Sequence, residues 1–143
     1  MYQDWPRLSS ALFYDDAATA IDWLCRAFGF EVRIQVPGPD GSIIHSELVH
    51  ADALIMVSSA VRDDRADRDF GASPRKVGGA NTQALCVRVD DAHAHCARAR
   101  AAGARIAAEP KDADHGHEHG AHRTYEAVDL EGHHWWFLQV IPR

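Results

Sequence analysis

The sequence predicts an α+β protein built from two consecutive βαβββ units. Three observations carry this reading. Strand-like and helix-like patterns follow in the order β-α-β-β-β, that order restarts after a long polar stretch, and short motifs recur at a nearly constant offset.

The first element, residues 8–14, reads as a strand ending at Asp15-Asp16, acidic residues suited to cap a helix. The helix over 17–28 places Ala20, Ile21, Leu24 and Ala27 on one apolar stripe, and Gly29 stops it. A strand over 30–36 runs into Pro37-Gly38-Pro39-Asp40-Gly41, which is turn chemistry. Strands over 42–50 and 53–59 flank a tight turn at Ala51-Asp52 and complete the first unit. Residues 61–82 are polar and too long for a turn, so they read as a linker or a flap over a cleft.

The second unit repeats the pattern with a strand over 83–89, a helix over 91–102 closed by Gly103, and a strand over 104–108. A long loop over 109–121 and strands over 122–128 and 133–140 follow. Tyr14-Asp15-Asp16-Ala17 is echoed 75 positions later by Val89-Asp90-Asp91-Ala92, Gly29 after 74 by Gly103, and Glu47-Leu48-Val49 after 79 by Glu126-Ala127-Val128. The units are therefore drawn as 8–59 and 83–141, joined by 60–82, within a single domain spanning 1–143.

Composition narrows the function. A chain of 143 residues with 46% hydrophobic and 25% charged residues buries a core without help from disulfides or a structural metal. A formal charge of −6 with no basic block argues against nucleic acid or an anionic membrane as partner. No apolar run reaches the roughly 20 residues of a membrane span, and the first residues lack the pattern of a signal peptide. Three cysteines without a CxxC pair read as reduced, buried thiols of a cytoplasmic protein.

The two units, with Ala27-Phe28-Gly29-Phe30 after the first helix, Ala102-Gly103-Ala104 after the second and the terminal run Asp129-Leu130-Glu131-Gly132-His133-His134-Trp135-Trp136-Phe137, resemble the vicinal oxygen chelate superfamily. Its members include glyoxalase I, bleomycin-resistance proteins and extradiol dioxygenases. The resemblance implies that each unit curls into a mixed-sheet half-barrel, that the halves enclose a central cleft, and that the protein is a homodimer. It also implies a divalent metal held by the first and fourth strands of each unit. Those positions fall on Ser9, Met56, Ala84 and Trp136. A hydroxyl, a thioether, a methyl and an indole do not make a site for a hard divalent ion, so no metal or other cofactor is expected.

The expected guest is a small organic molecule, an aromatic one being suited to the polarisable surfaces of Met56 and Trp136. Phe13 joins them as a cleft residue. His45 and Glu47 share one face of their strand, as do Arg123 and Tyr125 on the matching strand of the second unit, and either pair could orient a polar group. The leading reading is metal-independent small-molecule binding, as in sequestration of a toxic compound. One rival is a glyoxalase-like lyase, an isomerase or a dioxygenase with a relocated metal, His45 serving as general base; another is a structural or regulatory dimer without ligand. The run from Asp112 to His122 holds four histidines and three acids, a flexible loop with affinity for transition metals or a pH-sensitive lid. The run Asp63 to Asp69 alternates in sign and reads as a solvated loop.

Overall fold

Two capped helices set the frame. Asp16 accepts the backbone N–H of Thr19 at 3.2 Å, and Asp91 accepts that of Ala94 at 3.0 Å, so the echoed acidic pairs open both helices. In a computed structural model of the chain, which describes residues 4–60 and 71–142, the first unit is β1 (Ser10–Tyr14), α1 (Ala17–Phe28), β2 (Glu31–Pro37), β3 (Ile43–His50) and β4 (Ala53–Ser59). The second is β5 (Leu85–Arg88), α2 (Ala92–Ala101), β6 (Arg105–Asp114), β7 (Ala121–Val128) and β8 (His134–Ile141). Gly29 ends α1 at φ 81°, a left-handed conformation that favours glycine.

Each unit forms a four-stranded mixed sheet, ordered β1-β4-β3-β2 in one and β5-β8-β7-β6 in the other. The registers reproduce the sequence repeat. Ser10 pairs with Ile55 and Leu85 with Trp135, offsets of 75 along the first strand and 80 along the fourth. Glu47 faces Met56 and Glu126 faces Trp136 in the antiparallel ladders, so these two pairs are structural equivalents.

Alternation along the strands divides each sheet into two faces. Leu12, Tyr14, Leu48, Ile55 and Val57 from the first sheet and Val87, Tyr125, Ala127, Trp135 and Phe137 from the second lie in one core with α1 and α2. Phe28 touches both Trp135 and Phe137, at 5.2 and 4.7 Å between ring centroids, and so carries α1 into the second unit. The units therefore meet through their helix-packed faces. The other faces of the two curled sheets point away from this core.

Two buried carboxylates lock this arrangement. Asp129 accepts the Tyr14 hydroxyl at 2.6 Å and the Trp135 indole N–H at 3.0 Å, while its other oxygen accepts the backbone N–H of Glu131 and His133. Glu131, 4% exposed, accepts the backbone N–H of Asp15 and Asp16 at 2.7 and 2.8 Å and the Ser73 hydroxyl at 2.5 Å. Arg75 lies 3.3 Å from the same carboxylate. The acidic turn after β7 thus holds the start of α1 and the segment leading into the second unit, and charge-assisted bonds of this kind are the strong ones.

A third tie is uncharged. His95 on α2 reaches the carbonyl of Phe28 through Nε2 at 2.8 Å and the Tyr125 hydroxyl through Nδ1 at 2.5 Å. A carbonyl can only accept, so Nε2 carries the proton and Nδ1 accepts from the tyrosine. Burial pushes this imidazole below its usual 6.5, the Phe28 carbonyl pulls the other way, and His50 and Arg98 add to the lowering.

Two sequence expectations change. Strand β6 continues through Asp114 and pairs with β7 as far as Ala121, where a long loop was expected over 109–121. Its residues are polar because it is an edge strand, and the Arg123–Asp112 ion pair at 2.6 Å binds it to β7. Cys86 is exposed and Cys25 half-buried, so only Cys96 is a buried thiol. The segment preceding β5 contains a short 3₁₀ turn, Pro74–Lys76; the charged run 63–69 lies outside the described residues.

Glu131→Ala is expected to lower the unfolding free energy by about 3 kcal/mol, since two backbone donors and a serine lose a buried acceptor; urea titration measures it. For His95 the unfolded chain takes up the proton first as pH falls, because its imidazole is the more basic one. The stability contributed by the neutral ring is therefore complete above about 6.5 and is lost below it. The urea midpoint should drop between about pH 7.5 and 5, and less steeply in His95→Gln.

Candidate functional site

The open face of the second sheet contains a cavity of about 340 Å³ lined by Asn81, Thr82, Gln83, Ala84, Glu126, His134 and Trp136. Side-chain alternation explains the lining. Trp135 and Phe137 are fully buried in the core, so their neighbours His134 and Trp136 must face the other way, as must Glu126 between buried Tyr125 and Ala127. Trp136 is 47% exposed, a large aromatic surface left uncovered by the chain.

The polar groups of this cavity are ordered. Glu126 Oε1 accepts from His134 Nε2 at 3.0 Å and from the Trp136 indole N–H. Asn81 donates to the Gly132 carbonyl at 2.9 Å and accepts the backbone N–H of His134 at 3.0 Å, so a residue before β5 is fastened to the start of β8. Ala84 and Trp136, the two second-unit positions where the resemblance implies metal ligands, line this one cavity together.

The open face of the first sheet is filled differently. Glu47, 4% exposed, accepts Arg33 Nε at 3.0 Å on one oxygen and His45 Nε2 at 2.7 Å on the other. Burial raises the Glu47 carboxyl, but the hydrogen bonds and charges of His45 and Arg33 outweigh it and hold it below the usual range. The guanidinium of Arg33 lies 5.3 Å from the ring centroid of Trp5, whose indole N–H bonds Ser9 Oγ at 3.1 Å. The N-terminal segment thus lies against the first-unit face.

The expected site residues separate into three groups. Trp136 lines the cavity. Phe13, His45, Glu47 and Met56 belong to the open face of the first sheet, with Gly71 so close to the Phe13 ring that a Cβ there would lie 2.6 Å from it. Arg123 and Tyr125 are on the opposite, helix-packed face. Tyr125 is fully buried against His95, and burial raises its hydroxyl well above the usual value; Arg123 is engaged with Asp112. Counting the repeat from Glu47, at 79 positions, leads to Glu126 and not to Tyr125. Glu126, His134 and Asn81 were not among the expected site residues; the first was signalled by the Glu47 echo, the last by nothing local.

The residues at the implied metal positions do not fit a divalent ion. Ser9 is bonded to Trp5, Met56 offers a thioether, Ala84 has no donor atom, and the Trp136 indole nitrogen donates to Glu126. Among the described residues no group of three His, Cys, Asp or Glu side chains converges on a point where a metal could sit, the histidines of the β6–β7 turn included.

Comparison with known proteins agrees with this architecture. Residues 8–137 match the profile of the glyoxalase/bleomycin resistance protein/dioxygenase superfamily. Rv0887c of Mycobacterium tuberculosis is 33% identical over 136 residues, covering 95% of this chain and 75% of that protein. The crystal structure of TioX from Micromonospora sp. ML1 superposes with a TM-score of 0.72 at 29% identity, over 95% of this chain and 99% of TioX. TnmS3, an antibiotic binding protein from Streptomyces sp. CB03234, shares the fold with a TM-score of 0.65 at 19% identity, over 93% of each chain.

Proposed function

The chain belongs to the glyoxalase/bleomycin resistance protein/dioxygenase superfamily, and from that premise we propose that it binds a small aromatic molecule without the help of a metal. The observation that carries this reading is Trp136, half-exposed in a cavity with an ordered carboxylate and imidazole beside it. The cavity, of about 340 Å³, is shallow and open to solvent, and its exposed indole supplies the stacking surface. Sequestration of a toxic compound is the role that fits such a site, and the antibiotic-binding TnmS3 lends support by sharing the fold.

A homodimer is part of the proposal. Val140 on β8, Val36 on β2 and Leu8 before β1 are exposed apolar residues that a second copy would cover. The proposal also places the protein in the cytoplasm, where its three free cysteines would stay reduced; no helix of the described residues is long and apolar enough to cross a membrane.

The His45–Glu47 pair supports a second reading, lyase or isomerase chemistry with the imidazole as base. A carboxylate bonded to Nε2 leaves Nδ1 as the basic nitrogen. Against it stands the crowding of that face by Arg33 and Trp5.

Flat aromatic compounds are expected to quench the tryptophan fluorescence saturably, and Trp136→Ala should remove the binding without unfolding the chain; unchanged affinity in that variant would refute the site. Light scattering coupled to gel filtration should give twice the chain mass, and a monomer at all concentrations would end the dimer proposal.

A further inference from the structure

The duplication lets one half of the molecule report on the other. In both units the edge strand carries a bulge at the same place. Val32 pairs with Leu48 and Ile34 with Glu47, so Arg33 is the extra residue; Ile106 pairs with Ala127 and Ala108 with Glu126, so Ala107 is. Arg33 and Ala107 are therefore equivalent positions beside equivalent carboxylates.

In the first unit Arg33 places a planar cation between the Glu47 carboxylate and the ring of Trp5. In the second unit the carboxylate and an aromatic ring are present as Glu126 and Trp136, but the residue at the bulge is alanine. Glu126 Oε1 holds both His134 and Trp136, and among the described residues its Oε2 has no protein donor. The lining includes no Lys or Arg, and Glu126 is its one carboxylate.

We propose that the second-unit cavity binds a planar organic cation, an amidinium, a guanidinium or a protonated aromatic amine, which pairs with Glu126 as Arg33 pairs with the equivalent Glu47 in the first unit. This rests on the small-molecule reading above and adds the charge of the guest to it. The flat face of the cation stacks on Trp136 and its N–H groups reach Glu126, a combination of cation–π and charge-assisted contacts. Neutral aromatic molecules gain the stacking alone, and anionic ones meet an unfavourable carboxylate.

Three flat tricyclic probes of similar area test this under mildly alkaline conditions: proflavine, a cation; acridine, neutral; and anthracene carboxylate, an anion. Tryptophan quenching and probe polarisation give the affinities. Proflavine should bind at least about fivefold more tightly than acridine, and the anion most weakly. Glu126→Gln keeps the acceptor for His134 and Trp136 but removes the charge; it should weaken proflavine about fivefold and leave acridine unchanged. Ala107→Arg puts a guanidinium at the bulge equivalent to that of Arg33, where it competes for Glu126, and should weaken proflavine binding. Equal affinity for all three probes, with loss of all in Trp136→Ala, would overturn the cation assignment and leave the small-molecule reading standing. No binding of any probe would overturn both. Full proflavine affinity in Glu126→Gln and Ala107→Arg would overturn the cation site even if proflavine binds best.

Discussion

Glu131 is buried with four partners from outside its own turn: two backbone N–H groups at the start of α1, the Ser73 hydroxyl and the Arg75 guanidinium. A carboxylate in such a place is stable only while those donors stay, and the two backbone N–H groups and the serine lose this acceptor without it. Asp129, two residues away, does the same for Tyr14 and Trp135. The pair fixes where the first unit sits against β8. Because Trp135 and Phe137 are drawn inward by that packing, His134 and Trp136 are turned outward on the same strand. The open site is thus a by-product of the buried lock, with strand alternation as the link.

The two units share backbone geometry down to the bulge, yet their open faces have diverged. One carboxylate is buried, paired and covered by the N-terminal segment; the other is partly exposed, at 34% of its side chain, beside a cavity. Burial of the first is tolerable because Arg33 neutralises it and both Arg33 and His45 bond it, as a buried charge requires. The second needs no such compensation, being within reach of water. The difference between a filled half and an open half therefore reduces to a handful of side chains on a common frame.

The fold was legible because its signals are local: a capping acid, an apolar stripe, a closing glycine and alternating strands, each written twice. The site was only partly legible. Faces could be assigned within a strand, so His45 and Glu47 were grouped correctly, but which face meets the helix depends on partners distant in sequence. Tyr125 shows this: its alternation matches Arg123, yet only the His95 ring on α2 reveals that this is the inner face. Asn81 and β6 were hidden for another reason. Asn81 acts through contacts 51 and 53 positions away, and an edge strand of polar residues has no apolar pattern to betray it.

The matched bulges have a consequence for how such a protein changes over time. A bulged residue stands outside the pairing register, so its side chain can be exchanged without displacing any rung of the ladder. Arginine at one bulge and alanine at the other coexist in one chain with the same strand order around them. The frame thereby separates heritable variation in what the open face admits from variation that endangers folding, and gives each copy of the unit its own independent position at which to drift.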